Sequence, residues 1–168
     1  MNSTLLVNIF RFMLLLALQI LVFNNLNLGG YLSAFPYMLF IILYPVNGNK
    51  SNLLIASFFL GLVMDLFSNS GGVHATACVL VAYLRPFFFK FSFGLSYEYQ
   101  TIKLNDVLTP ERFTFILLAV LTHHITLFLL ESFQISFLLD VMLRTLLSTL
   151  FTILTCIILI YLIKPNKR

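Results

Sequence analysis

Few residues of this chain could do chemistry, and most of those sit inside apolar runs. They are three histidines (His74, His123, His124), two cysteines (Cys78, Cys156) and an isolated carboxylate, Asp65. A protein zinc site needs three or four ligands at spacings such as HExxH or CxxC. His123 and His124 are neighbours, so on a helix they project about 100° apart, and His74 is distant in sequence. The thiols have no CxxC spacing and read as inert packing residues. There is no GxSxG, no phosphate-binding loop and no pair of acids at hydrolytic spacing. The clustered aspartates that a phosphatidyl transferase places on cytoplasmic helix ends are missing too. The expectation is a protein that is not an enzyme and carries no cofactor and no metal.

Asp65 poses the sharper question. In GLVMDLFSNSGGVHA (Gly61 to Ala75) it interrupts an apolar run and is soon followed by a glycine pair. An ionised group in a bilayer costs several kcal/mol on insertion scales, so each needs a reason. Asp65 near a helix end either caps or orients that end, or makes a polar contact within the bundle or with another membrane protein. Arg144 stands at the same level, four residues after Asp140, and the local i, i+4 pair Asp140/Arg144 is the preferred arrangement. An Asp65–Arg144 bridge is the second, and Glu131 could join either. Arg11 and Gln19 lie eight residues apart, on one helix face. Arg11 can snorkel toward the cytoplasmic side, and Pro86 after Arg85 frees a backbone carbonyl.

The elements that position these residues belong to a chain built for lipid. Of 168 residues, 60% are hydrophobic and 10% charged, against about 25% charged in soluble domains; mean hydropathy is +1.00. The 19 Phe and 7 Tyr suit bilayer packing and interfaces. The length suits one domain. The net charge of +4 stands on no basic patch, so it reports topology and not nucleic acid.

A spanning helix takes about 20 apolar residues. The runs Leu5–Phe23, Val73–Phe91, Phe113–Phe133 and Val141–Ile163 qualify. Two shorter runs, Tyr31–Val46 and Leu53–Ser68, each cover roughly 24 Å as helices; two crossings are favoured over a shallow hairpin. The fold class expected is therefore an all-α integral membrane protein, a six-transmembrane-helix bundle. The first run is read as a retained helix, because Arg11 lies inside it and no small-x-small cleavage site follows. With the N-terminus inside, the inner loops carry Lys50, then Lys90, Lys103 and Arg112, then Lys164, Lys167 and Arg168, while the outer loops carry no Lys or Arg. That asymmetry predicts N-in, C-in insertion.

The one substantial loop, 92–112, is cytoplasmic in this scheme. Phe91, Phe93, Leu95, Tyr97 and Tyr99 alternate, which predicts a short extended segment. It lies against the headgroups or docks a cytoplasmic partner, with Tyr97, Tyr99 and Arg112 as contact candidates. Thr109–Pro110–Glu111 predicts a helix start.

The stretch Gly61-Leu62-Val63-Met64-Asp65, then Gly72 and the small-residue start Val73-His74-Ala75-Thr76-Ala77, resembles the MreD family of rod shape-determining membrane proteins. The likeness extends to length, six spans, the lack of a soluble domain and Ala82-Tyr83-Leu84 before a basic inner end. The stretches Leu121–His124 and Phe128–Glu131 are similar to those of Bacteroidetes-type members. The resemblance implies a non-enzymatic, multi-pass component of the cell inner membrane. It would work beside MreC with the MreB filament and the RodA–penicillin-binding-protein synthase of peptidoglycan. Gly61 and Gly72 would let helices approach, and Asp65 would end the third span and order the turn, near which MreC's membrane segment is expected. Partner-binding or bundle-organising candidates are Gly61, Asp65, Gly72, Glu131, Asp140 and Arg144. The alternative is the substrate-binding subunit of an energy-coupling-factor (ECF) vitamin transporter, similar in plan, size and inward termini. Against it, the outer loops are short and nearly uncharged, and Ala-x-x-x-Ala docking runs are missing.

Overall fold

In the computed structural model, which describes residues 3–28, 31–94, 108–132 and 138–163, five helices are long and apolar enough to cross a membrane. They are α1 (Ser3–Leu21), α3 (Lys50–Ser68), α4 (Val73–Phe93), α5 (Pro110–Ser132) and α6 (Leu138–Ile163). Local chemistry sets their ends. Asn49 caps α3, its Oδ1 accepting from the N–H groups of Ser51 (2.9 Å) and Asn52 (3.2 Å). Thr109 does the same for α5, accepting from the Arg112 N–H at 3.4 Å, with Pro110 at the first helical position as the sequence predicts. Between α3 and α4 the chain reverses through left-handed Asn69 (φ 52°) and Gly72 (φ 99°). Successive helices α3, α4, α5 and α6 pack as neighbours, and α1 contacts α3.

The distribution of polarity identifies the solvent. Leu21, Leu66, Phe67, Phe87, Leu139, Leu150 and Leu162 are exposed, while Gln19, His123, His124, Ser148 and Thr152 are buried. Water would penalise both halves of that arrangement; lipid favours the first and requires the second to be hydrogen-bonded internally.

The run 31–46 is not a spanning helix. After α1, Asn27–Leu28 (β1) pairs antiparallel with Leu32–Ser33 (β2), Asn27 opposite Ser33. A 3₁₀ turn (Pro36–Met38) and one helical turn, α2 (Leu39–Ile42), follow. Pro36 opens the helical piece and Pro45 lies just beyond it, so it stays short. Tyr37 to Ile42 are almost completely buried. The segment runs antiparallel to α1. Gln19 meets it at Ala34 and Tyr37, and Arg11 meets it at Leu43, contacts separated by roughly 12 Å along α1. The chain thus returns through the interior of the bundle, and α3 sets out from the end where α1 begins. The expectation of six full helices is corrected to five, plus one short broken segment inside them. A half-irregular backbone at that depth is tolerable only when wrapped in protein.

The other short run does become a full helix, 19 residues from Lys50 to Ser68. Pro86 sits within an uninterrupted α4. Phe91 and Phe93 belong to the last turn of α4 and are helical, contrary to the extended reading of their alternation. Tyr97 and Tyr99 lie outside the described residues.

Candidate functional site

Gly61, Asp65 and the turn through Gly72 form one joint between α3 and α4. Gly61 and Asp65 are four apart, hence on one face of α3, and that face meets the first turn of α4. A Cβ on Gly61 would lie 2.4 Å from Ala75 Cα and 2.5 Å from His74 O, so only glycine permits this approach. One turn later the Asp65 carboxylate reaches the open end of α4. Its Oδ1 accepts from the His74 N–H (2.9 Å) and the Ser70 hydroxyl (2.5 Å), and its Oδ2 accepts from the Ala75 N–H (2.9 Å). Gly72 does not serve close helix approach as expected, since a Cβ there would meet nothing within 4 Å; it takes the left-handed conformation (φ 99°) at the N-cap position of α4 and has no side chain to offer. Asp65 therefore supplies the cap from the neighbouring helix. It satisfies two N–H groups that α4 cannot pair internally, and sets a negative charge at the positive end of the helix dipole.

Asp65 lies only 5% exposed and spends both oxygens within the chain. The bridge to Arg144 does not form. Nor does Arg144 use Asp140: its Nη2 lies 3.4 Å from Glu131 Oε2 on α5, and its guanidinium is 4.7 Å from the Phe128 ring centre. Asp140 is exposed at the start of α6. The reason is the close packing of α5 on α6, which brings the last turn of one beside the first turn of the other. Sequence spacing could not weigh that contact against a local i, i+4 pair.

Next to the joint lies a polar core that sequence reasoning did not assemble. The Tyr37 hydroxyl is 2.9 Å from His74 Nδ1 on α4 and 2.7 Å from His123 Nε2 on α5. A hydroxyl in that position donates to one imidazole nitrogen and accepts from the other. His124 turns the other way, Nε2 lying 3.1 Å from Thr152 Oγ1 on α6 and Nδ1 2.7 Å from the Val120 carbonyl oxygen. The two adjacent histidines thus serve different helices, as their angular separation requires. Among the described residues no group of three His, Cys, Asp or Glu side chains is placed to hold a metal ion. Cys78 and Cys156 are buried and free.

The remaining polar side chains complete the backbone of the broken segment. Gln19 Nε2 donates to the Ala34 carbonyl (3.1 Å), and its Oε1 accepts from the Tyr37 N–H (3.4 Å). Thr152 accepts from the Phe35 N–H (3.1 Å). Ser148 accepts from the Ser33 N–H (3.2 Å) and donates to the Tyr31 carbonyl (3.0 Å). At the other end Arg11 donates to the Leu43 carbonyl (2.9 Å), and Arg85 to those of Ile42 and Tyr44. These carbonyls are the unpaired acceptors of a helix end, and two cations there complement its dipole. Arg11 is thereby anchored on the broken segment. The signal was present in the sequence: Gln19, Ser148 and Thr152 are polar positions in apolar spans, and Pro36 and Pro45 bracket the run they serve.

Above the His74–Tyr37 pair a cavity of about 370 Å³ opens at the end bearing Glu131 and Arg144, with Asn24, Ser33, Phe35 and His74 in its walls. Arg112 lies on the first turn of α5, at the opposite end of that helix. Comparison with protein-family models, with curated proteins and with solved structures finds no match to this chain.

Proposed function

We propose that this chain is a non-enzymatic membrane component of the cell-elongation machinery. On this reading it binds MreC and helps to organise the RodA–penicillin-binding-protein synthase with the MreB filament in the cell inner membrane, with both termini cytoplasmic. One observation carries the reading. The residues that bear the resemblance to the MreD family, Gly61, Asp65 and Gly72, are those that build the α3–α4 joint. The exposed side chains of Leu66 and Phe67 flank that joint and offer an apolar surface to lipid or to a partner's membrane helix. Asp65 acts through that shape and not as an exposed charge.

The test is a pull-down from mild detergent through a C-terminal tag. Recovery of MreC or of the synthase pair supports the proposal. Recovery of an ATPase pair with a coupling subunit overturns it in favour of the transporter reading, which the cavity walled by His74, Asn24 and the Glu131–Arg144 pair favours. Topology is checked separately by single cysteines. Asn47→Cys should react with an impermeant thiol reagent from the cytoplasmic side and Gly71→Cys from the outside; the reverse pattern would overturn the orientation. Cys78 and Cys156 are buried and contribute little background.

A further inference from the structure

The end of the bundle opposite the joint carries a second cavity, unrelated to the capped turn or the histidine core. It opens between α3 and α4 beneath the turn 44–49 and has a volume of about 740 Å³. Leu53 and Leu54 on α3 face Ala82 and Pro86 on α4 across it, and Lys50, the first residue of α3, stands at its rim. Part of the wall is the buried guanidinium of Arg85, anchored on the Ile42 and Tyr44 carbonyls. Asn49 already accepts from the first N–H groups of α3, so the positive character of the rim comes from these side chains and not from the helix end alone.

The volume falls within the range of small-ligand sites. Its chemistry is divided: apolar between the helices, cationic where they meet the interface. An amphiphile with an anionic head matches both halves. Basic pockets between membrane helices recognise anionic headgroups on this principle, and a lone exposed lysine on a helix face does not retain a lipid because it offers no trough for the chain.

We propose that this cleft binds one anionic phospholipid, its phosphate at Lys50 and an acyl chain laid between α3 and α4. The site is independent of which proteins the bundle assembles with. Native mass spectrometry of the purified full chain tests it. The chain is released from micelles holding equimolar phosphatidylglycerol and phosphatidylcholine of identical acyl chains. The wild type should retain one phosphatidylglycerol about fivefold over phosphatidylcholine, the preference one interfacial lysine supplies. Lys50→Gln should bring the ratio to near parity. Lys90→Gln removes the same charge from an exposed position on α4 outside the cleft and should leave the ratio unchanged. Leu54→Trp, which fills the trough, should lower retention of both lipids. Equal retention of the two lipids by the wild type would overturn the proposal. So would equal losses in the two lysine variants, which would mean diffuse attraction, or displacement by glycerophosphate lacking acyl chains.

Discussion

Replacing Asp65 probes the joint most directly, because its three acceptor contacts can be removed in steps. Asp65→Ala strips all three. The Ser70 hydroxyl can rotate to another partner, but the His74 and Ala75 N–H groups stay where they are, in a buried corner. A buried donor left without an acceptor costs about 1–3 kcal/mol, so the two together cost about 2–6 kcal/mol. Asp65→Asn keeps one carbonyl oxygen and turns an amide N–H₂ toward the other donor, losing about 1.5–3 kcal/mol for the charge-assisted bond. Ser70→Ala also removes a bond to the carboxylate, but at a part-buried position where water can replace the hydroxyl, so its cost falls at the low end of that range, about 1.5 kcal/mol. The expected order of destabilisation is therefore Asp65→Ala, then Asp65→Asn, then Ser70→Ala, measured by reversible unfolding of the solubilised protein. An alanine variant within about 0.5 kcal/mol of wild type would refute the capping argument. So would an asparagine variant worse than alanine. If MreC recovery falls in step with stability, Asp65 acts through the joint; if it is lost while stability holds, Asp65 meets the partner directly.

Gly61→Ala should destabilise by about 1–3 kcal/mol, since the added methyl meets the backbone of Ala75 and His74; an unopposed helix propensity would stabilise by about 1 kcal/mol, so the sign of the unfolding shift decides. Tyr37→Phe leaves His74 Nδ1 and His123 Nε2 without their shared partner. It should cost about 2–6 kcal/mol, and a loss below about 0.5 kcal/mol would show that the hydroxyl is not holding the core. Glu131→Gln breaks an ion pair whose side chains are each 33% exposed. It should change stability by less than about 1 kcal/mol, with a larger loss pointing to a dry, closed mouth over the cavity.

Four of the long helices were legible because length and apolarity alone specify them, and the helix start at Thr109–Pro110 because its chemistry is local; α3 was legible only as a short apolar run, since its first turn, Lys50 to Asn52, is polar. Asp65 as a helix-ending residue was half legible. Its position near the glycine pair pointed to a turn, but a carboxylate reaching forward to cap the next helix depends on the packing of α3 against α4. The second crossing was misread because a buried broken segment and a short helix share the same apolar composition; only the polar side chains of α1, α4 and α6 tell them apart. Gln19 and Arg85 read each against its own span, and Ser148 and Thr152 do not stand out at all, since sequence spacing does not reveal that the four converge on one stretch of backbone. Arg144 went to Asp140 by the i, i+4 rule, where tertiary packing prefers Glu131.

The broken segment also sets a schedule for the making of the protein. The Phe35 N–H is satisfied by Thr152, 117 residues later, and the carbonyls of Ile42 and Tyr44 by Arg85 on a helix not yet made when the segment emerges. At about 5–20 residues per second of synthesis, the stretch waits on the order of 6–25 seconds for its last partner. Until then its open backbone cannot sit in hydrocarbon, so it must stay at the headgroups or within the insertion machinery, and the bundle closes only when α6 arrives. A nascent chain arrested after residue 132 should leave a cysteine at Met38, in the turn that meets α6, reactive, and one arrested beyond the complete α6 should hide it; protection already in the shorter chain would mean that the segment is seated without α6.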